Sequence, residues 1–198
     1  MSFAETPTLE NDVVRLEPLR AEHGPDLRDA SAADDLWRRA WYTRIPAPDA
    51  VPAEIESRLA RQRAGEMAPW AIVDPATGRA IGMTSICSIS VNDLRVEVGY
   101  TWMRRDAQGT GINPAAKLLL LTRAFEELGC VRVELRTNWH NHQSRAAIER
   151  LGAKLDGVLR THTRMPDGQW RDTVVYSILA TEWPQVKRGL ETRLAFHR

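Results

Sequence analysis

At 198 residues, with 43% hydrophobic content, the chain fits one domain with a proper buried core. A net charge of +1 argues against a general nucleic-acid grip, which needs a clustered basic surface, and two cysteines are too few for a disulfide scaffold or a four-cysteine zinc site. No apolar run approaches the ~20 residues of a membrane span, and the start "MSFAETPTLENDVV" lacks a secretory pattern, so a cytoplasmic protein with neither nucleic-acid nor membrane partner is the expectation.

In chain order, Leu9 to Leu19 alternates apolar and polar residues and predicts an edge-like strand ending at Pro18. Residues 21–31 and 51–65 predict helices, the second opened by Pro52. Between them, "DDLWRRAWYTRIPAPDAVP" is a poor helix, with three prolines and three large aromatics, and suits a substrate-facing loop. "PWAIVD", "RAIGMTSICSIS" and "VEVGYTWM", separated by turn residues, predict an antiparallel meander. Residues 114–128 predict a helix with Asn113 as N-cap, Pro114 in its first position and Gly129 after its end. A strand over 131–137, a helix over 142–151, strands near 155–164 and 170–180, and a helical tail from Glu182 complete the pattern. This order predicts an α/β (α+β) fold: a mixed, mostly antiparallel sheet of about six to seven strands with helices on both faces, in one domain spanning 1–198.

The stretch "RRDAQGTGINPAAKLLLL" poses the functional question. Gly109 and Gly111 permit positive φ and close approach of a ligand to backbone. The helix that follows leaves its first amides unpaired, and such amides with the helix dipole suit a phosphate. A plain glycine-rich turn is the alternative. A Walker A loop is excluded because no Gly-Lys-Ser/Thr closes the segment, and a dinucleotide fingerprint would want glycine where Pro114 stands.

"VEVGYTWMRRDAQGTGINPAAKLLLLTRAFEELG" followed by "VRVELRTNWHNHQSRAAIERLGA" resembles the GNAT N-acetyltransferase superfamily, in particular the branch with the RimJ/RimL ribosomal-protein N-terminal acetyltransferases. The resemblance implies a GNAT-like (acyl-CoA N-acyltransferase) fold and acetyl-CoA as cosubstrate, its pyrophosphate on the amides of Gln108, Gly109, Thr110, Gly111, Ile112 and Asn113. It implies that the pantetheine arm pairs with backbone of Thr101, Trp102 and Met103 and reaches Asn141. The chain departs from the pattern at Asp106, where many members carry Gln or Arg; the neighbouring Arg104 and Arg105 offer the positive charge.

Acetyl transfer to an amine needs a proton acceptor and help for the leaving thiolate. Glu97, the only acid in "VEVGYTWM", is the candidate base, with solvent exposure or pairing to an arginine such as Arg95 or Arg132 as the alternative. By the resemblance, Ser144 donates to the thiolate; otherwise it is an ordinary first-turn serine, and Asn141 is equally a helix cap. Tyr100 and Tyr176 are weaker donors. Trp37, Trp41, Tyr42 and Arg44 would shape the acceptor side, with "RMPDGQW" opposite and His162 near the cleft. His140 and His142 do not close a metal site, so no metal is expected, and Cys87 and Cys130 read as buried thiols. The expected function is direct acetyl transfer in a ternary complex to a primary amine, with a homodimer as a family-based expectation. A non-catalytic acyl-CoA sensor of the same fold is the rival; a nucleotide-binding oxidoreductase is disfavoured by the missing glycine.

Overall fold

The computed structural model describes residues 2–39, 43–165 and 167–196. Trp41 and Tyr42, expected to shape the acceptor side, lie outside the described residues. Eight strands form one sheet in the order β1-β2-β3-β4-β5-β6-β8-β7, one more than the upper expectation. The extra strand comes from the first segment. Asn11 Oδ1 accepts from the amides of Val13 and Val14, both at 3.0 Å, and this turn divides it into β1 (Leu9–Glu10) and β2 (Arg15–Pro18). The meander follows as β3 (Met67–Val73), β4 (Ala80–Ser90) and β5 (Arg95–Met103). Then come β6 (Arg132–Asn138) and the hairpin of β7 (Lys154–Arg164) and β8 (Trp170–Leu179).

Both faces of the sheet are covered. On one side α1 (Gly24–Ala32) and α3 (Val51–Arg63) bury Leu27, Ala30, Val51 and Ile55 against Ala71, Met83 and Trp102. A short α2 (Leu36–Arg39) stands in the segment expected to be a loop. On the other side α4 (Ile112–Thr122), continued by a π-helical turn over Arg123–Glu127, joins α5 (His142–Arg150) and α6 (Trp183–Ala195) over the larger core. Leu120, Leu121 and Ala124 are fully buried there, as the wide leucine stripe requires.

α4 begins two residues before the sequence expectation. Its N-cap is Gly111, at φ 88°, with no capping side chain, and the first helical hydrogen bond runs from the Ala115 amide to Gly111 O at 3.0 Å. Asn113 is therefore inside the first turn and is not the cap. Pro114 fits there because the first turn's N–H groups have no helical acceptor in any case.

Every neighbouring strand pair is antiparallel except β5 and β6, and this exception positions the site. Their parallel ladder holds only Arg95↔Arg132, Val96↔Val133 and Glu97↔Glu134. Beyond Glu97, β5 bulges against β4: Ser85 faces Gly99 and Met83 faces Trp102, so two residues on β5 oppose Thr84. Tyr100 takes φ 51° at the bulge, a left-handed conformation uncommon for a bulky residue. The bulge bends β5 away from β6 and opens a gap in the sheet.

The close crossing requires a bare backbone on β4. A Cβ on Gly82 would lie 2.2 Å from Trp102 O and 2.6 Å from Met103 Cα. Gly82→Ala is expected to destabilise the protein by about 2 kcal/mol, as overpacking against unyielding backbone does. Denaturant unfolding would measure it; an unchanged midpoint would mean that β5 yields freely.

Candidate active site

The gap between β5 and β6 opens into a cleft of about 740 Å³ that runs to the glycine segment before α4. Glu97, Thr101, Trp102 and Met103 line it from β5; Arg105, Gln108, Gly109, Gly111 and Asn113 line it from the turn. Asn141 and Ser144 contribute from the start of α5, and Arg44 and His162 from the far mouth. The side chains of three expected residues are engaged elsewhere, which for Thr110 and Ile112 does not touch the backbone-amide role expected of them. Arg104 pairs with Asp106 at 2.6 Å, Thr110 Oγ1 donates to Ala107 O at 2.7 Å, and Ile112 packs against the core. Asp106, the departure from the family pattern, thus ties up Arg104 and leaves Arg105 beside the turn. Trp37 lines a neighbouring smaller cavity, which shares Arg44 with the main cleft.

The glycine turn has the form of an anion cradle. Gly109 and Gly111 take φ 82° and 88°. The space where a Gly109 side chain would begin is open, with no atom within 4 Å. Asn113 Oδ1 and Trp102 Nε1 are buried without a hydrogen-bond partner among the described residues; Asn113 lines the cleft beside the turn, and Trp102 lines it from β5 while also packing in the core under α1 and α3. Buried polar atoms of this kind are rare unless a ligand or water completes them. Gln108 Nε2 donates to Met103 O at 3.2 Å and so joins the turn to the end of β5.

Glu97 does not face solvent; it does pair with an arginine, as the alternative allowed, but that arginine is Arg136 and not Arg95 or Arg132. Arg95 pairs with Asp93 and Glu134, and Arg132 with Glu134 and Asp156. The Glu97 side chain keeps only 12% of its exposure. Its Oε2 accepts from Ser88 Oγ at 3.0 Å and stands 3.6 Å from Arg136 Nε. Burial raises its pKa above the usual 4.5; the Arg136 charge and the Ser88 hydrogen bond oppose this, and the Glu134 charge adds to it. Gly99, two residues along on the same face, leaves room for the carboxyl group, since a Cβ there would lie 2.8 Å from Glu97 Oε1.

On α5, Asn141 Oδ1 accepts from the Ser144 amide at 2.9 Å, the expected cap. This holds Ser144 at the wall of the cleft. Tyr176 is not a proton source for the cleft, because its hydroxyl donates to Glu149 Oε1 at 2.7 Å and it does not line the cavity. Tyr100 does line it, half-exposed, with the Arg58 and Arg61 guanidinium carbons 5.6 and 5.0 Å from its ring centre. His162 Nδ1 lies 3.1 Å from Thr173 Oγ1. Burial pushes Cys87 to about 12 and Cys130 to about 11, so neither supplies a thiolate near neutral pH. No group of three metal-ligating side chains is found among the described residues.

Among the cleft residues that escaped the sequence reading are Lys117, Arg136 and Arg171. Lys117 projects from α4 into the protein, 6% exposed, and its Nζ donates to Thr101 Oγ1 at 2.9 Å. Burial lowers its pKa to about 8. Its position three and four residues before Leu120 and Leu121 was the available signal, since it places a lysine on the buried stripe. Arg136 and Arg171 arrive from β6 and β8, whose pairing the sequence does not reveal.

Residues 14–154 match the model of the acetyltransferase (GNAT) domain. The chain belongs to the GNAT acetyltransferase family. A crystal structure of a GCN5-related N-acetyltransferase from Brucella melitensis superposes with a TM-score of 0.86 at 30% identity, covering 96% of this chain and 86% of that one. Among curated proteins, "Putative ribosomal N-acetyltransferase YdaF" of Bacillus subtilis (strain 168) is 37% identical over 106 residues, 54% of this chain and 57% of that protein. The match thus spans little more than half of that relative. The GNAT fold also extends to Mycobacterium smegmatis RimJ, solved in complex with CoA-disulfide, with a TM-score of 0.82 at 23% identity over 98% of this chain and 97% of that one.

Proposed function

We propose that this GNAT protein transfers an acetyl group from acetyl-CoA directly to a primary amine in a ternary complex. The acceptor is a protein N-terminal α-amine or a small-molecule amine, and the setting is the cytoplasm. The observation that carries this is one continuous cleft. It joins a bare-backbone turn at a helix N-terminus to a break in the sheet, with a buried carboxylate where the parallel ladder ends.

Acetyl-CoA supplies the activated acyl group. Its diphosphate suits the amides around Gly109 and Gly111, with Arg105 beside them. The splayed backbone of Thr101 to Met103 offers hydrogen-bonding edges to an extended chain, and Asn141 and Ser144 stand at the opposite wall. Glu97, whose carboxyl group accepts from Ser88 and lies beside Arg136, takes in its carboxylate form the proton released as the amine attacks. Ser144 is placed to donate toward the departing thiolate, which needs only modest help because a simple thiol has a pKa of ~8.5. The name of the curated relative, a ribosomal N-acetyltransferase, supports a ribosomal amine as one acceptor to test.

The test is release of CoA thiol when the purified protein meets acetyl-CoA and a panel of amines. Acetyl-CoA binding with no transfer to any amine would favour the non-catalytic sensor instead. The cradle has its own test. Gly109→Val places a branched side chain in the open space at a positive φ, with strain of roughly 1–2 kcal/mol that a domain of this size tolerates. Calorimetry is expected to show acetyl-CoA affinity falling roughly tenfold or more, the cost of one or two lost amide hydrogen bonds. Undiminished affinity would put the diphosphate elsewhere.

A further inference from the structure

The cleft is far more positive than the chain. The whole sequence carries +1, yet Glu97 is the only acid among the described residues lining the cleft, against six arginines and a lysine. Several of these cations have assigned partners. Arg136 Nη2 is 2.7 Å from Glu134, and Lys117 is bonded to Thr101. Arg105 stands at the glycine turn, and Arg193 donates to Arg150 O at the α5–α6 side. At the remaining mouth stand Arg171 and Arg44, neither in an ion pair among the described residues.

Arg171 is half-buried on β8, and only its Nε is engaged, to Thr173 Oγ1 at 3.1 Å. The two terminal nitrogens, a planar fork suited to a carboxylate, have no partner among the described residues. Arg44 reaches over from the segment before α3, its Nη2 donating to Arg164 O at 3.1 Å across the β7–β8 hairpin. The Arg44 charge acts on Arg171 unfavourably, adding to the cost of burial, while the Glu97 charge helps it. Two like charges at one mouth, with unused donors and neither in an ion pair among the described residues, form a site that an anion completes.

We infer that Arg171 and Arg44 read a carboxylate carried by the acceptor close to its reactive amine, so that the preferred substrates are acidic amines. The inference rests on the acetyl-transfer reading. The carboxylate belongs either to an acidic side chain next to a peptide N-terminus or to a small amino acid. Glu97 and Arg171 line the same cleft, so one acceptor could present its amine to the first and its carboxylate to the second.

The experiment compares matched acceptors differing only in that charge. One pair is a peptide beginning Ala-Glu against the same peptide beginning Ala-Gln; the other is β-alanine against β-alaninamide. The wild type is expected to favour the acidic member by roughly ten- to a hundredfold in kcat/KM, as a bidentate charge-assisted contact implies. The pair that shows the preference identifies the source of the carboxylate. Arg171→Gln should bring that ratio near one, mainly through KM, and Arg171→Lys should recover part of it. Arg44→Gln, at an exposed position, provides a second reading should Arg171→Gln fold poorly. Calorimetry with acetyl-CoA separates the two levels of failure. Loss of acetyl-CoA binding by the wild type would remove the parent reading. Binding and turnover with equal kcat/KM for both members of each pair would overturn this inference alone.

Discussion

Glu97→Gln is expected to lower kcat roughly a hundredfold or more, the usual contribution of a positioned general base. It should also remove one acid-side limb from the pH–rate profile. Burial raises the pKa of Glu97 above the usual 4.5, against the opposing Arg136 charge and Ser88 hydrogen bond, and the Glu134 charge raises it further. The active form is the carboxylate, so activity is present above that raised pKa and lost as pH falls through it. Glutamine fills the same space without titrating, so only the limb due to the acceptor's own ammonium group should remain. The size of the loss reports on the acceptor. Freeing an α-amine of pKa ~7.7–8.0 at pH 7 costs about 1 kcal/mol, whereas a lysine amine of pKa ~10.4 costs roughly 4–5. A lysine-type acceptor should therefore suffer more from the substitution. An unchanged kcat with an unchanged acid limb would remove Glu97 from the chemistry and leave it as the partner of Arg136.

The difference between what the sequence disclosed and what it hid follows from the range of each interaction. Asn141 as the cap of α5, the position of Gly129 just past the π-helical turn that continues α4, and the antiparallel meander are local effects, written within a few residues. The N-cap of α4 was also local, but two rules competed. Asn113-Pro114 looks like a cap and first turn, while Gly111 alone can take φ 88° and begin the helix earlier. The Tyr100 bulge runs against propensity, because a tyrosine at φ 51° is tolerated only when the surrounding strands enforce it. Glu97 illustrates the limit most sharply. Its presence in an apolar strand marked it as unusual, but its actual partner, Arg136, depends on the parallel pairing of β5 with β6. Arg44 and Arg171 likewise meet only through the placement of the β7–β8 hairpin.

Lys117→Met is expected to stabilise the protein at neutral pH by about 3 kcal/mol, a gain where a buried-residue substitution usually gives a loss. Lys117 is 6% exposed, and its ammonium has one neutral partner, Thr101 Oγ1. Burial lowers its pKa from the ordinary 10.5 to about 8, with the Cys87 and Glu97 contributions acting the other way, and that gap corresponds to about 3 kcal/mol of differential interaction. Because the folded pKa lies below the unfolded one, the penalty of the buried charge is complete below about pH 8. It is relieved as pH rises toward 10.5, since over that window the unfolded chain holds a proton that the folded protein has released. Methionine has similar length, adapts to irregular space and carries no charge, and Thr101 keeps its 2.8 Å contact with Thr84 Oγ1. The stability difference between variant and wild type should thus be largest below pH 8 and approach zero near pH 10.5. Denaturant titrations of both proteins at several pH values isolate Lys117 and the groups its charge acts on, because titrating groups remote from it cancel in the difference. A variant that is less stable at pH 7, or a difference that does not change with pH, would show that Lys117 sits comfortably charged. The cleft wall would then be far more polar than its lining suggests.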